Sequence, residues 1–119
     1  MKKTVLFLIQ RPPYGNTVAR DTVDAILACA SFDQTVCLLF AGDGVWQLIP
    51  MQQGDKIGMK DIGKLLHALP YYDVTTCYAE KSAMITRGIT TTSACIPVQP
   101  LEDNVIQQLL RAADQVIAL

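Results

Sequence analysis

The densest group of side chains able to do chemistry lies in the segment TCYAEKSAMITRG, residues 76–88, where Cys77, Glu80, Lys81 and Arg87 follow one another closely. A thiol there suggests nucleophilic or sulfur-carrying chemistry. Such chemistry needs a thiolate stabilised by a helix N-terminus or a neighbouring cation, together with access for the substrate. Cys77 sits at the end of an apolar run, several residues before the next helix can start, and the nearest charges, Glu80 and Lys81, offset one another. The residue at the activating position, just ahead of the helix, is Glu80. The local chemistry therefore favours Cys77 as a core thiol.

The other candidates are weaker. Cys29 falls on a helical pattern, and Cys37 and Cys95 fall inside apolar runs, where a free cysteine behaves as a small hydrophobe. No two of the four cysteines form a C-x-x-C pair. His67 is the single imidazole and has no ligand at metal spacing, so it is expected to serve a helix C-terminus. Neither a metal nor a cofactor is expected. The loop QRPPYGN (10–16) joins a strand to a helix N-terminus, a place that attracts phosphate. Pro12 and Pro13 supply no N–H groups, however, and Gly15 stands alone where a phosphate cradle needs several glycines, so a structural turn is favoured. In AGDGVWQL (41–48), Asp43 between two glycines is either a turn or cap residue or a general base, and the cap reading is favoured. Trp46 is assigned equally to the core and to a subunit contact.

The elements that must position these residues follow from five apolar runs, Thr4–Ile9, Val36–Ala41, Val74–Ala79, Ala94–Val98 and Gln115–Leu119, which read as strands. Between them lie helical patterns. Residues 16–31 place Ala19, Val23, Ile26, Leu27 and Ala30 on one face; Asp43–Ile49 forms a short helix; Asp55 caps another that uses Ile62, Leu65, Leu66 and Leu69. Ser82–Arg87 is stopped by Gly88, and Leu101–Ala113 buries Val105, Ile106, Leu109 and Leu110. Non-alternating apolar strands joined by helices imply a three-layer α/β sandwich, with a mainly parallel five-stranded sheet covered by helices on both faces. Pro97 implies that its strand either lies at a sheet edge or is already ending there, because proline cannot donate to the ladder. In such sheets ligands bind outside the carboxyl ends of the strands, which here collects Arg11, Tyr14, Asn16, Asp43, Trp46, Glu80 and Lys81 along one edge.

At 119 residues the chain is read as a single domain spanning 1–119. With 18% charged residues and a net charge of −1, it lacks the basic face that direct nucleic-acid binding requires. Half the residues are apolar, which fits a sheet buried on both faces, surface hidden in an oligomer, or both. The opening MKKTVLFLIQ resembles an export signal, but its apolar run ends at Gln10 and reads as a strand. No run reaches the ~18 apolar residues of a membrane span. The expected location is the cytoplasm, without membrane contact.

The segments PYGNTVARDTVDAILACA, FAGDGVWQL and LPYYDV, with Arg20 and Asp24 spaced R-x-x-x-D, Asp43–Leu48 and the closing Arg87-Gly88, resemble the TusC/DsrF branch of the DsrE/DsrF sulfur-relay proteins over nearly the whole chain. The resemblance implies a parallel α/β sheet. It also implies a hetero-oligomer, the TusBCD heterohexamer in the tRNA branch, with paralogous partners of TusB and TusD type. That complex is linked indirectly to a persulfide donor and a tRNA thiolase, and carries sulfur toward 2-thiolation of the wobble uridine. The carrier subunit of the family has its reactive cysteine eight residues ahead of the glycine of a similar Arg-Gly, and eight residues ahead of Gly88 is Glu80. A carboxylate cannot hold a persulfide, so the resemblance implies a non-carrier subunit without catalytic residues. Cys77 is then at most an auxiliary thiol, and Trp46, Tyr14 and Glu80 are interface candidates. Two alternatives stay open: the DsrF counterpart in sulfur oxidation, and an independent small α/β enzyme or ligand-binding module that uses Tyr14, Asp43 and Glu80.

Overall fold

The computed structural model describes residues 3–10, 25, 26, 28, 34–49, 69–72, 74, 76–94 and 96–118. Five strands form one sheet in the order β4-β3-β2-β1-β5: β1 (Lys3–Ile9), β2 (Gln34–Phe40), β3 (Thr76–Glu80), β4 (Gln99–Leu101) and β5 (Gln115–Ala118). Every pairing is parallel, with Leu6 opposite Cys37, Leu38 opposite Cys77, Tyr78 opposite Gln99 and Leu6 opposite Val116. The helical pieces are a 3-10 helix at Gly42–Leu48, a 3-10 turn at Leu69–Tyr72, helix α1 (Lys81–Thr86) and helix α2 (Asp103–Ala112). Ala25, Ile26 and Ala28 are also helical.

The strand order explains which face each connection covers. From β1 to β4 the chain moves steadily one way across the sheet, and right-handed crossovers in one direction must all lie on one face. Accordingly Ile26, Val45, Leu48, Leu69, Val74, Ala83, Met84, Ile89 and Ile96 join a single core with the inward residues of that face, Val5, Phe7, Ile9, Val36, Leu38, Phe40, Cys77 and Ala79. The connection from β4 to β5 then runs back across the whole sheet, so α2 lies on the other face. There it contributes Ile106, Leu109 and Leu110 around Leu6, Cys37 and Leu39. Successive strand residues point to opposite faces, and because both faces are covered, VLFLI and VCLLF are apolar at every position.

Two expectations are corrected. The fourth strand is Gln99–Leu101, not Ala94–Val98. Ile96 is buried in the core as part of a connecting segment, so its apolarity reports burial and not strand pairing. Pro97, on which the edge expectation rested, precedes this strand and is not part of it; β4 is an edge strand, where Pro100, opposite Ala79, needs no N–H for an outer neighbour. The stripe of α2 is also less buried than its periodicity implies: Val105 is 38% exposed, and Ile106, Leu109 and Leu110 are only half-buried. A single helix faces this side of a five-stranded sheet among the described residues, so its apolar positions keep contact with solvent. The helix capped by Asp55 lies outside the described residues, as do Arg20 and Asp24.

Candidate functional site

The carboxyl ends of β2 and β3 lie side by side, and Asp43, Glu80 and Arg87 gather there. β3 ends at Glu80, which also serves as the N-cap residue of α1; its backbone is extended (φ −69°, ψ 113°) and its side chain makes no capping bond to that helix. The carboxylate reaches across to the neighbouring strand's loop instead, where Glu80 Oε1 accepts a hydrogen bond from the Gly42 N–H at 3.1 Å. Gly42 adopts φ +52°, a conformation that side chains disfavour, as the chain turns from β2 into the 3-10 helix.

The 3-10 helix is held on its other side by Arg87. The guanidinium donates from Nη2 (3.0 Å) and Nε (3.3 Å) to Asp43 Oδ1, and from Nη1 to the Ala83 carbonyl at 3.1 Å. Asp43 therefore does not cap the helix that it opens: the N-cap residue is Ala41, and Asp43 in the first turn pairs with the far end of α1. Arg87 is held in place by a helix stop of recognisable geometry. Gly88 N–H reaches the Ile85 carbonyl at 3.1 Å and Ile89 N–H reaches Met84 at 2.9 Å, with Gly88 at φ +68° and the side chains of Met84 and Ile89 both in the core, as a Schellman motif requires. The Asp43-Gly-Val and Arg87-Gly88 signatures, 44 residues apart in sequence, are thus the two halves of one clasp.

Lys81 does not offset Glu80. Its ammonium pairs with Glu102 at 2.9 Å, with both partners largely exposed, leaving Glu80 to Gly42. Trp46 is 39% exposed on the 3-10 helix beside α1, and Ile85 on α1 is 68% exposed, so this corner presents apolar surface next to the clasp. Tyr14, Arg11, Asn16, His67, Cys29 and Cys95 lie outside the described residues.

Cys77 is the second residue of β3, three positions short of Glu80, with 8% exposure and its side chain in the core. Burial, and to a lesser degree the nearby Cys37 thiol, push its pKa up to about 11. Cys37 is raised by burial as well. Neither thiol has the cation or helix N-terminus that would make it a thiolate near neutral pH. Among the described residues, no three His, Cys, Asp or Glu side chains come together as a metal site. Ligand crevices of open α/β sheets form where the strand order reverses. Here that point is between β1 and β5, whereas Asp43 and Glu80 stand over β2 and β3 with their carboxylates taken up by Arg87 and Gly42.

The profile of the DsrE/DsrF-like family matches residues 3–119. The chain belongs to the DsrE/DsrF-like family. Among curated members it is 33% identical over 119 residues, the full length of both chains, to the protein TusC homolog of Pseudomonas aeruginosa. To the intracellular sulfur oxidation protein DsrF of Allochromatium vinosum it is 36% identical over 88 residues, 74% of this chain and 65% of that one. The fold is also shared with solved structures of low sequence identity. The ychN protein of E. coli superposes with a TM-score of 0.84 at 20% identity over the whole of both chains. A conserved protein of unknown function from Bacteroides thetaiotaomicron gives a TM-score of 0.69 at 12% identity over 98% of this chain and 95% of its own. This DsrE/DsrF-like chain is therefore a sulfur-relay family member with a parallel five-stranded α/β sheet. No helix among its described residues is long and apolar enough to cross a membrane.

Sequence reasoning identified Asp43, Glu80 and Arg87 but not their partners. The bond from Gly42 to Glu80 spans 38 residues and depends on β2 and β3 being neighbours, which follows from strand order. The glycine flanking Asp43 was the available signal, since a glycine at a strand's carboxyl end marks a backbone conformation that other residues avoid.

Proposed function

We propose that this chain is the non-carrier subunit of a TusBCD-type complex, assembled with paralogous chains of TusB and TusD type as a cytoplasmic heterohexamer. The complex passes persulfide sulfur from an upstream donor toward 2-thiolation of the wobble uridine in tRNA. The observation that carries this reading is the state of position 80. The residue there is a carboxylate, which cannot accept sulfane sulfur, and it ties the β2 and β3 loops together through the Gly42 N–H. The described thiols give no substitute, because Cys37 and Cys77 are buried and their pKa values are raised. On this reading the chain completes the assembly, and the exposed Trp46 and Ile85 beside the Glu80 loop are the anchors that the partner covers. Glu80 fixes the shape of that surface, and chemistry resides in the partner's cysteine.

Similarity to the DsrF relative supports a second reading, the corresponding subunit of a sulfur-oxidation complex. The two readings predict the same architecture and different losses. The test is to isolate the chain at native level from its own cells, identify its companions by native mass spectrometry, and measure 2-thiouridine in tRNA after deleting its gene. A defined complex with two paralogues and loss of tRNA 2-thiouridine is the expected result. An intact complex with unchanged tRNA would transfer the assignment to sulfur oxidation. Recovery of the chain alone, with a bound small molecule, would overturn both. Within the complex, Cys77→Ser is expected to leave sulfur transfer to tRNA unchanged, and loss of transfer from a variant complex that still assembles would refute the non-carrier role.

A further inference from the structure

We draw no further inference here: the strongest candidate, the groove of about 330 Å³ at the outer edge of β3 between Thr76–Tyr78 and Pro97–Gln99, is an open surface with an uncharged lining, and nothing in the structure shows what covers it.

Discussion

Replacing Gly44 by alanine isolates the contact that seats the 3-10 helix on the sheet. A Cβ at position 44 would lie 1.9 Å from the Ile9 carbonyl oxygen and 2.6 Å from its carbon, both backbone atoms at the end of a central strand. Neither can rotate away. The same carbonyl accepts the Ala41 N–H at 2.9 Å, so retreat of the loop by about 1 Å also weakens that bond. It would displace Val45, Gln47 and Leu48 as well, all fully buried. Overpacking of this kind costs about 2 kcal/mol and the damaged hydrogen bond about 1 kcal/mol more, a destabilisation of about 3 kcal/mol. Gly42→Ala provides the control two residues away. No atom lies within 4 Å of its Cβ, so only the left-handed backbone at φ +52° is penalised. The expected cost is about 1 kcal/mol, after the smaller entropy of the unfolded alanine chain is allowed for. Urea unfolding followed by Trp46 fluorescence measures both, since Trp46 rides on the helix concerned. In thermal melts of the same proteins the expected Tm loss for Gly44→Ala is about 10 °C, roughly three times that of Gly42→Ala. Equal losses, or a Gly44→Ala protein within about 1 kcal/mol of the parent, would refute the close-approach account.

Three further outcomes follow from the same geometry. For Cys77 the ordinary value is 9.0 and the folded value about 11, so below pH 9 the thiol is protonated in both states and has no effect on stability. Between pH 9 and 11 the unfolded chain loses the proton first, and folding stability should fall by an amount on the order of 2 kcal/mol. Cys77→Ala should lack that component, read from urea midpoints at pH 8 and 10.5; the same alkaline loss in both proteins would contradict it. Arg87→Ala removes the Asp43 pair and the bond to the Ala83 carbonyl. Because Asp43 is 59% exposed the cost should be only about 1 kcal/mol, while hydrogen exchange of residues 42–48 should accelerate; unchanged exchange would show that the clasp does not hold the loop. Gly88→Ala, with open space around its Cβ but φ +68°, should lower stability by about 1 kcal/mol in thermal melts, and no loss would contradict the left-handed helix stop.

The parallel sheet was legible because both of its faces are buried, which makes VLFLI and VCLLF apolar at every position instead of alternating. The end of α1 was legible because Gly88 supplies a backbone conformation that few other residues adopt. The fourth strand was misplaced by the same reasoning that found the others. An apolar side chain such as Ile96 is selected by burial, and periodicity over five residues cannot separate a buried connecting segment from a buried strand. Likewise, the stripe on α2 shows which side of the helix is apolar but not how much of that side the sheet covers. The pairing of Glu80 with Gly42, and of Arg87 with Asp43, depends on which strand lies beside which. That is a property of the whole topology, and no local window of sequence contains it.

The return of the chain to β1 at its last strand has a consequence in time. Strand β1 leaves the ribosome ahead of the other four described strands, yet one of its two long edges is completed only by β5, where Thr4 and Asp114 exchange bonds of 2.7 and 3.0 Å across 110 residues. At the usual pace of synthesis, roughly 5–20 residues per second, that edge waits on the order of 5–20 s with its apolar residues and amide groups open. A nascent chain of this topology therefore depends on early capture by β2 on one side and on protection from neighbouring chains on the other. Closure of the sheet is a late and long-range event, and the stretch of translation before it is the period in which this protein is most exposed to misassembly.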